Sequence, residues 1–260
     1  LVGTKAVTIT GGGEPLCHPN IDKIIRLFFD AGIEVGLVTN GLLLNRIRSV
    51  IDLLTWVRIS WSDDREFSGQ STHCGLDIME NTDWAFSYVV TNKPNIDNIQ
   101  QIIDYANENN FTHIRLVHDL INLAEAPNMD DIKRQLSNDD LVIYQPRKEY
   151  TRGAKKCWIS LLKPVIAADL YIYPCCGVQY AVGNEKKFPE NMRMGIVHSP
   201  IKADMEDRAE SPALGKFDTA TPAVSVRSLP FDGSKCIRCY YSGYNELLNN
   251  MSNIQHAAFV

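Results

Sequence analysis

Thr8-Ile9-Thr10-Gly11-Gly12-Gly13-Glu14-Pro15-Leu16 lies near the start of the 260-residue chain, and its reading decides the fold. The run before the glycines, Lys5 to Thr10, alternates apolar and polar residues as a β-strand does. It ends in three glycines, an acid and a proline. Glycines lack Cβ and let main-chain carbonyls and amides approach a ligand closely, while Pro15 stiffens the turn beyond Glu14. Carbonyls and a carboxylate only accept hydrogen bonds, so the loop suits an ammonium group. A phosphate cradle is disfavoured, because Glu14 repels phosphate and no Gly-Lys-Ser/Thr comes after it.

Downstream, the hydrophobic period switches between two and 3.6. Asn20 to Ala31 places Ile21, Ile24, Ile25 and Phe28 on one helical face and stops at Gly32. Ile33 to Thr39 reads as a strand, Leu42 to Leu54 as a helix, and Trp56 to Trp61 and Trp84 to Thr91 as strands. Asn95 to Asn109 repeats Ile96, Ile99, Ile102, Ile103 and Ala106 at helical spacing, and His113 to His118 is a fifth strand. Leu141 to Tyr144 is a candidate for one more. Strands alternating with helices over short connections predict parallel βα units, in an open sheet or a barrel. Ligands collect at the carboxyl ends of such strands. Five stretches fall there: Gly11-Gly12-Gly13-Glu14-Pro15, Thr39-Asn40-Gly41, Ser60-Trp61-Ser62-Asp63, Thr91-Asn92-Lys93 and His118-Asp119.

A net charge of -5 with no basic block argues against a nucleic-acid footprint. No stretch is long and apolar enough to span a bilayer, and no secretory leader precedes the first strand, so no membrane partner and a cytoplasmic location are expected. Seven cysteines, five of them in the second half, point to metal in a reducing compartment rather than to a disulfide framework. Cys236-x2-Cys239 offers two thiolates on one turn, and Cys157 and Cys175 bring two more. Four thiolates fit a structural zinc or a [4Fe–4S] cluster equally, and spacing does not decide between them. Cys175 and Cys176 are adjacent, and on extended backbone they point to opposite faces, so one of the two is a ligand. The chain is divided at residues 1–151 and 152–260, the second part rich in hairpin-like segments (Lys163 to Ala167, Leu170 to Tyr173).

The stretches TGGGEPLCHPNIDKII, AGIEVGLVTNGLLL, WVRISWSDD and FSYVVTN resemble the core domain of radical S-adenosylmethionine (SAM) enzymes, over roughly Lys5 to Asp119. The resemblance implies that Gly12, Gly13, Glu14 and Pro15 bind the amino group of SAM. It further implies that Asn40, ending the family's third strand, and Ser60, ending its fourth, line the SAM pocket. The family's Cys-x3-Cys-x2-Cys loop, which carries the [4Fe–4S] cluster that reduces SAM, is absent from the 260 residues. It would fall before Leu1, together with the family's first strand. The expected fold is therefore α/β: a partial (β/α)6 TIM-like barrel lacking its first strand, five strands plus one, with a small C-terminal domain after it.

The second part, CWISLLKPVIAADLYIYPCC to CIRCYYSGY, resembles the short "twitch" relatives of SPASM auxiliary-cluster domains. That likeness implies one auxiliary [4Fe–4S] cluster on Cys157, Cys175, Cys236 and Cys239, and the spacing from Asp169 and Cys157 selects Cys175 over Cys176. Leu170 stands where the pattern carries glycine. The implied activity is SAM cleavage to a 5′-deoxyadenosyl radical and hydrogen abstraction from a small molecule or peptide. An electron donor such as flavodoxin or ferredoxin is the implied partner. No catalytic residue is assigned; His118, Asp119 and Cys74 are more simply polar loop residues and a core thiol, Cys17 a small core residue, and His18 the start of a helix. The alternative is a non-enzymatic α/β protein with a zinc-stabilised C-terminal module.

Overall fold

The computed structural model describes residues 4–67, 81–119, 126–145, 151–181, 188–196 and 230–252. The chain forms two compact units, Leu1–Arg147 and Lys148–Val260. Thr151 makes a β-bridge to Cys239 within the second.

Six parallel strands build the first unit: β1 (Ala6–Ile9), β2 (Glu34–Thr39), β3 (Trp56–Ser62), β4 (Asp83–Val90), β5 (His113–His118) and β6 (Val142–Gln145). They pair strictly in chain order, β1-β2-β3-β4-β5-β6. The expected five strands are thus one short, because the candidate segment at Leu141 pairs with β5 as a full member, Ile114 opposite Val142. Helices α1 (Ile21–Asp30), α2 (Ile96–Glu108) and α3 (Met129–Lys133) complete the described helices of this unit. Parallel strands taken in order by right-handed crossovers carry their helices on one face. That face is the core, where Val57, Ile59, Trp61, Phe86, Tyr88, Ile114 and Leu116 pack with Ile21, Ile25, Ile99, Ile102 and Ile103.

Local chemistry accounts for most boundaries. Asn95 caps α2 by accepting from the Asn98 amide at 3.1 Å. Gly32, at φ 68, ends the α1 turn in a left-handed conformation that favours glycine. The predicted helix from Leu42 to Leu54 does not form. Two 3-10 turns, Leu44–Ile47 and Ile51–Leu53, replace it. Leu44, Ile47 and Val50 are fully buried at a spacing of three, the 3-10 period, and Val50 at φ -138 breaks the segment in two.

The second unit contains a three-stranded antiparallel sheet, β7 (Val165–Ile166), β8 (Tyr171–Tyr173) and β9 (Gly195–Ile196), with short α4 (Ile159–Leu162) and α5 (Ser242–Ser252). The hairpin segments expected from sequence are β7 and β8; β9 has only two residues, too few for a periodicity that would announce it. In the turn joining β7 to β8, Leu170 adopts φ 64 and is half-exposed. A leucine there bears the left-handed strain that glycine escapes. Leu170→Gly is expected to stabilise the protein by ~0.5–1 kcal/mol after the entropy cost of glycine, seen as a higher urea midpoint; a lower midpoint would show that Leu170 contributes packing worth more than the strain.

Candidate functional site

The glycine loop leads from β1 into a 3-10 turn, Pro15–Cys17, capped by Glu14, whose Oε1 accepts from the Leu16 amide at 3.0 Å. Leu16 turns fully inward, which leaves Cys17 and His18 exposed. Cys17 is therefore not a core residue. His18 lies before α1, its Nδ1 accepting from the Asn20 amide at 3.2 Å.

Glu14 also crosses to the next strand end. Its Oε1 accepts from the Thr39 hydroxyl and its Oε2 from the Asn40 amide, each at 2.7 Å. A carboxylate offers about four lone-pair sites, so three are engaged by the protein and one remains on Oε2. Thr39 pairs with Ile59 in the register of β2 and β3, which makes Asn40 and Ser60 the next neighbours across the strand ends. Asn40 Oδ1 accepts from the Leu42 amide at 2.9 Å, leaving its amide hydrogens to donate elsewhere. Ser60 lies two residues short of the end of β3, not at it, on the half-buried face with Arg58 and Ser62.

All five strand-end stretches meet at this edge of the sheet. Arg65 donates from Nη1 to the Asn40 carbonyl at 2.6 Å and lies 3.5 Å over the Trp61 ring, tying β2 to β3; burial holds its guanidinium below the usual arginine range. Asp63 accepts from the Tyr88 hydroxyl at 2.8 Å, the Thr91 amide at 2.6 Å and the Asn95 amide at 2.8 Å, tying β3 to β4 and to the cap of α2. Burial first, and Asp63 second, push the Tyr88 phenol well up. The Asp119 amide donates to the Val90 carbonyl at 2.9 Å, completing the row. His118 is buried, with Nε2 2.8 Å from the Pro127 carbonyl, so it serves as a core histidine. Cys74 lies outside the described residues. Arg65 is a site residue that sequence reasoning misses, because its partner Asn40 lies 25 residues away and no local signal marks such a pairing.

Gly12 and Gly13 are the sharpest observation. A Cβ built on either meets nothing within 4 Å, and neither has positive φ. Protein packing and backbone conformation therefore give no reason for glycine at these positions.

In the second unit Cys157, Cys175, Cys236 and Cys239 line one pocket with Gly153, Gly233 and Asn245. The Cys157 amide donates to Phe231 O at 2.9 Å, the Cys239 amide to Thr151 O at 2.8 Å, and the Gly153 amide to Cys236 O at 2.9 Å. These bonds hold two distant chain segments against each other. The approach is close: a Cβ on Gly153 would lie 2.1 Å from Gly233 O, and one on Gly233 2.7 Å from Ala154 O. Asn245 of α5, nearly fully buried, accepts from the Ile159 amide at 3.2 Å, with its Nδ2 3.8 Å from Cys157 Sγ. Nothing in the polar sequence of α5 signals that role. Cys176 is not among the pocket residues; its Sγ lies 3.2 Å from the Tyr241 hydroxyl. Burial, then the neighbouring Cys176, pushes the Cys175 thiol up to about 12, and burial with Cys239 and Cys157 pushes Cys236 up to about 11. Among the described residues, no three His, Cys, Asp or Glu side chains converge closely enough for a single metal ion.

No protein-family profile matches the chain. An AdoMet-dependent heme synthase of Methanosarcina barkeri (strain Fusaro / DSM 804) is 31% identical over 118 residues, covering 40% of this chain and 34% of that protein. The chain thus spans about a third of the length of the curated relative it matches. Among solved structures, archaeal TYW1 aligns over 50% of this chain and 47% of its own, at 23% identity and a TM-score of 0.38. Streptococcus suis SuiB aligns over 67% and 51%, at 14% identity and a TM-score of 0.46. The six-stranded parallel sheet is an α/β architecture, and the stretch of sequence likeness is to an AdoMet-dependent enzyme. Among the described residues no helix is long and apolar enough to cross a membrane.

Proposed function

We propose that the strand-end site binds SAM through its methionine amino group, and that the protein is a radical SAM oxidoreductase or maturase acting on a small molecule or peptide. The observation that carries this is the glycine pair that neither packing nor backbone requires, beside a carboxylate with one acceptor site left. Bound SAM, reduced by an iron–sulfur cluster, supplies a 5′-deoxyadenosyl radical for hydrogen abstraction. The chain's own residues bind and orient. Glu14 fixes the ammonium, Gly12 and Gly13 admit the ligand to the backbone, Pro15 stiffens the turn, and Asn40 and Ser60 offer polar groups on the adjoining strands. Arg65 and Asp63 keep the strand ends in place by bonds that a ligand does not have to make or break. An electron donor such as flavodoxin or ferredoxin, and a cytoplasmic setting, accompany this chemistry.

The second unit is proposed to hold one auxiliary [4Fe–4S] cluster on Cys157, Cys175, Cys236 and Cys239. Zinc bonded to four sulfurs at ~2.3 Å draws them within about 4 Å of one another. A four-iron cluster spreads its thiolates wider. Four cysteines lining one pocket, where two distant chain segments are held together, support a metal centre there.

Calorimetric titration of SAM into the anaerobic protein tests the first proposal. Gly12→Ala and Gly13→Ala are each expected to leave the thermal midpoint unchanged or slightly raised. SAM affinity is expected to fall about tenfold or more, because the added methyl occupies the ligand's place. Unchanged affinity in both variants would sink the assignment; a lowered midpoint would make the glycines structural.

A further inference from the structure

Four cysteines and one buried amide share the pocket of the second unit. Asn245 is the only buried residue among the described positions of α5, where the remainder are half-buried or exposed. A primary amide in such a position is costly unless both of its ends are hydrogen-bonded. Its carbonyl end is satisfied: Oδ1 accepts from the Ile159 amide, at the start of α4, at 3.2 Å. That bond also fixes which way the amide faces, because the reverse orientation would set Nδ2 against another donor. Nδ2 is therefore turned to sulfur, 3.8 Å from Cys157 Sγ.

The same side chain reaches a second cysteine. Burial raises the Cys239 thiol, as does Cys157 beside it, while hydrogen bonds from the Tyr241 amide and from the Asn245 side chain act the other way. A neutral thiol is a weak acceptor, and a donor aimed at it gains little. A thiolate, the form that binds metal, takes a charge-assisted bond instead. The two N–H bonds of Nδ2 match two sulfurs, one from each of the chain segments that the pocket joins. Because Ile159 holds the carbonyl end, the amide keeps this aim without help from a metal.

We propose that Asn245 donates hydrogen bonds to the cluster-bound thiolates of Cys157 and Cys239 and so raises the reduction potential of the auxiliary iron–sulfur centre. The proposal rests on the reading of these cysteines as cluster ligands, and it adds a residue that sets what the cluster does. The physical reason is charge. Reduction brings one electron to the cluster and makes its sulfurs more negative, and a fixed donor stabilises that state more than the oxidised one. Asn245 acts through the ligands rather than on iron, which makes it a positioning residue.

The full chain, its Asn245→Leu variant and its Asn245→Ala variant are reconstituted anaerobically with iron and sulfide. Each is then titrated with dithionite while the electron paramagnetic resonance of the reduced cluster is followed. Leucine has nearly the shape of asparagine and removes the donors without adding charge. The ratio of reduced to oxidised cluster at a given potential is expected to fall about tenfold in this variant, a drop of ~59 mV for one electron. Alanine is expected to give a smaller drop, because water in the vacated space returns part of the donation. An asparagine that only holds the fold predicts the opposite sign, since a loosened pocket admits water, which favours the reduced cluster and raises the potential. A raised or unmoved potential in the leucine variant overturns the proposal. If that variant takes up no iron, the alanine variant decides in the same way, by a lower potential or by none. A wild-type chain with zinc or no metal at these cysteines overturns the cluster reading and this proposal with it; wild-type iron and sulfide with unmoved potentials in the variants overturn this proposal alone.

Discussion

Replacing Cys236 and Cys239 together by serine is expected to remove the proposed auxiliary iron–sulfur cluster and, with it, the order of the second unit. Iron and sulfide in the anaerobically reconstituted protein should fall by about four atoms each per chain, with loss of the broad visible absorption. The structural effect arises from how little else holds this unit. Its described core is Tyr173, Val178, Ala181 and Met192, with a few partly buried neighbours. Metal-binding energies at four-ligand sites reach ~10 kcal/mol or more and are folding energy where no large core exists. Limited proteolysis is therefore expected to cut within Lys148–Val260 while leaving the sheet unit intact. Cys176→Ser, which alters a thiol beside the Tyr241 hydroxyl that does not itself line the pocket, is expected to keep its iron. Full iron content in the double variant would sink the ligand set, and zinc in place of iron in the wild type would return the site to the structural-metal alternative.

Glu14→Gln is the second large effect, and it acts on stability and ligand at once. The amide nitrogen that replaces one carboxylate oxygen confronts either the Asn40 amide or the Leu16 amide and Thr39 hydroxyl, donor against donor. An unsatisfied buried donor costs about 1–3 kcal/mol, so the urea midpoint falls. Loss of the negative charge removes a charge-assisted bond to the ammonium, and SAM affinity is expected to drop about 10- to 100-fold. Thr39→Val provides the contrast: it deletes one 2.7 Å bond to Glu14 while leaving the carboxylate. It is expected to lower stability by ~1 kcal/mol with a smaller loss of SAM affinity. Equal SAM binding by wild type and Glu14→Gln would remove Glu14 from the site.

Much of this protein is legible in local pattern. The period-two and 3.6 runs place β2 to β5, α1 and α2 to within a residue or two, because each element buries one face and its sequence must repeat with its own geometry. The Gly-Gly-Gly-Glu-Pro run marks a strand end where an acid stands among bare backbone, and the structure sets Glu14 against the neighbouring strand end. The Cys-x2-Cys pair likewise brings two thiols within four residues, and the structure sets both in one pocket with Cys157 and Cys175. Where local pattern is thin, only tertiary structure decides. The segment at Leu42 has enough apolar residues for a helix, yet packing against the sheet selects two 3-10 turns with every third residue inward. β6 and β9 exist because a neighbouring strand offers open hydrogen-bonding groups, not because four or two residues insist on it. The partners of Glu14 depend on which strands become neighbours. Residue type and spacing specify what a side chain can do; the order of strands in the sheet specifies which side chains do it together.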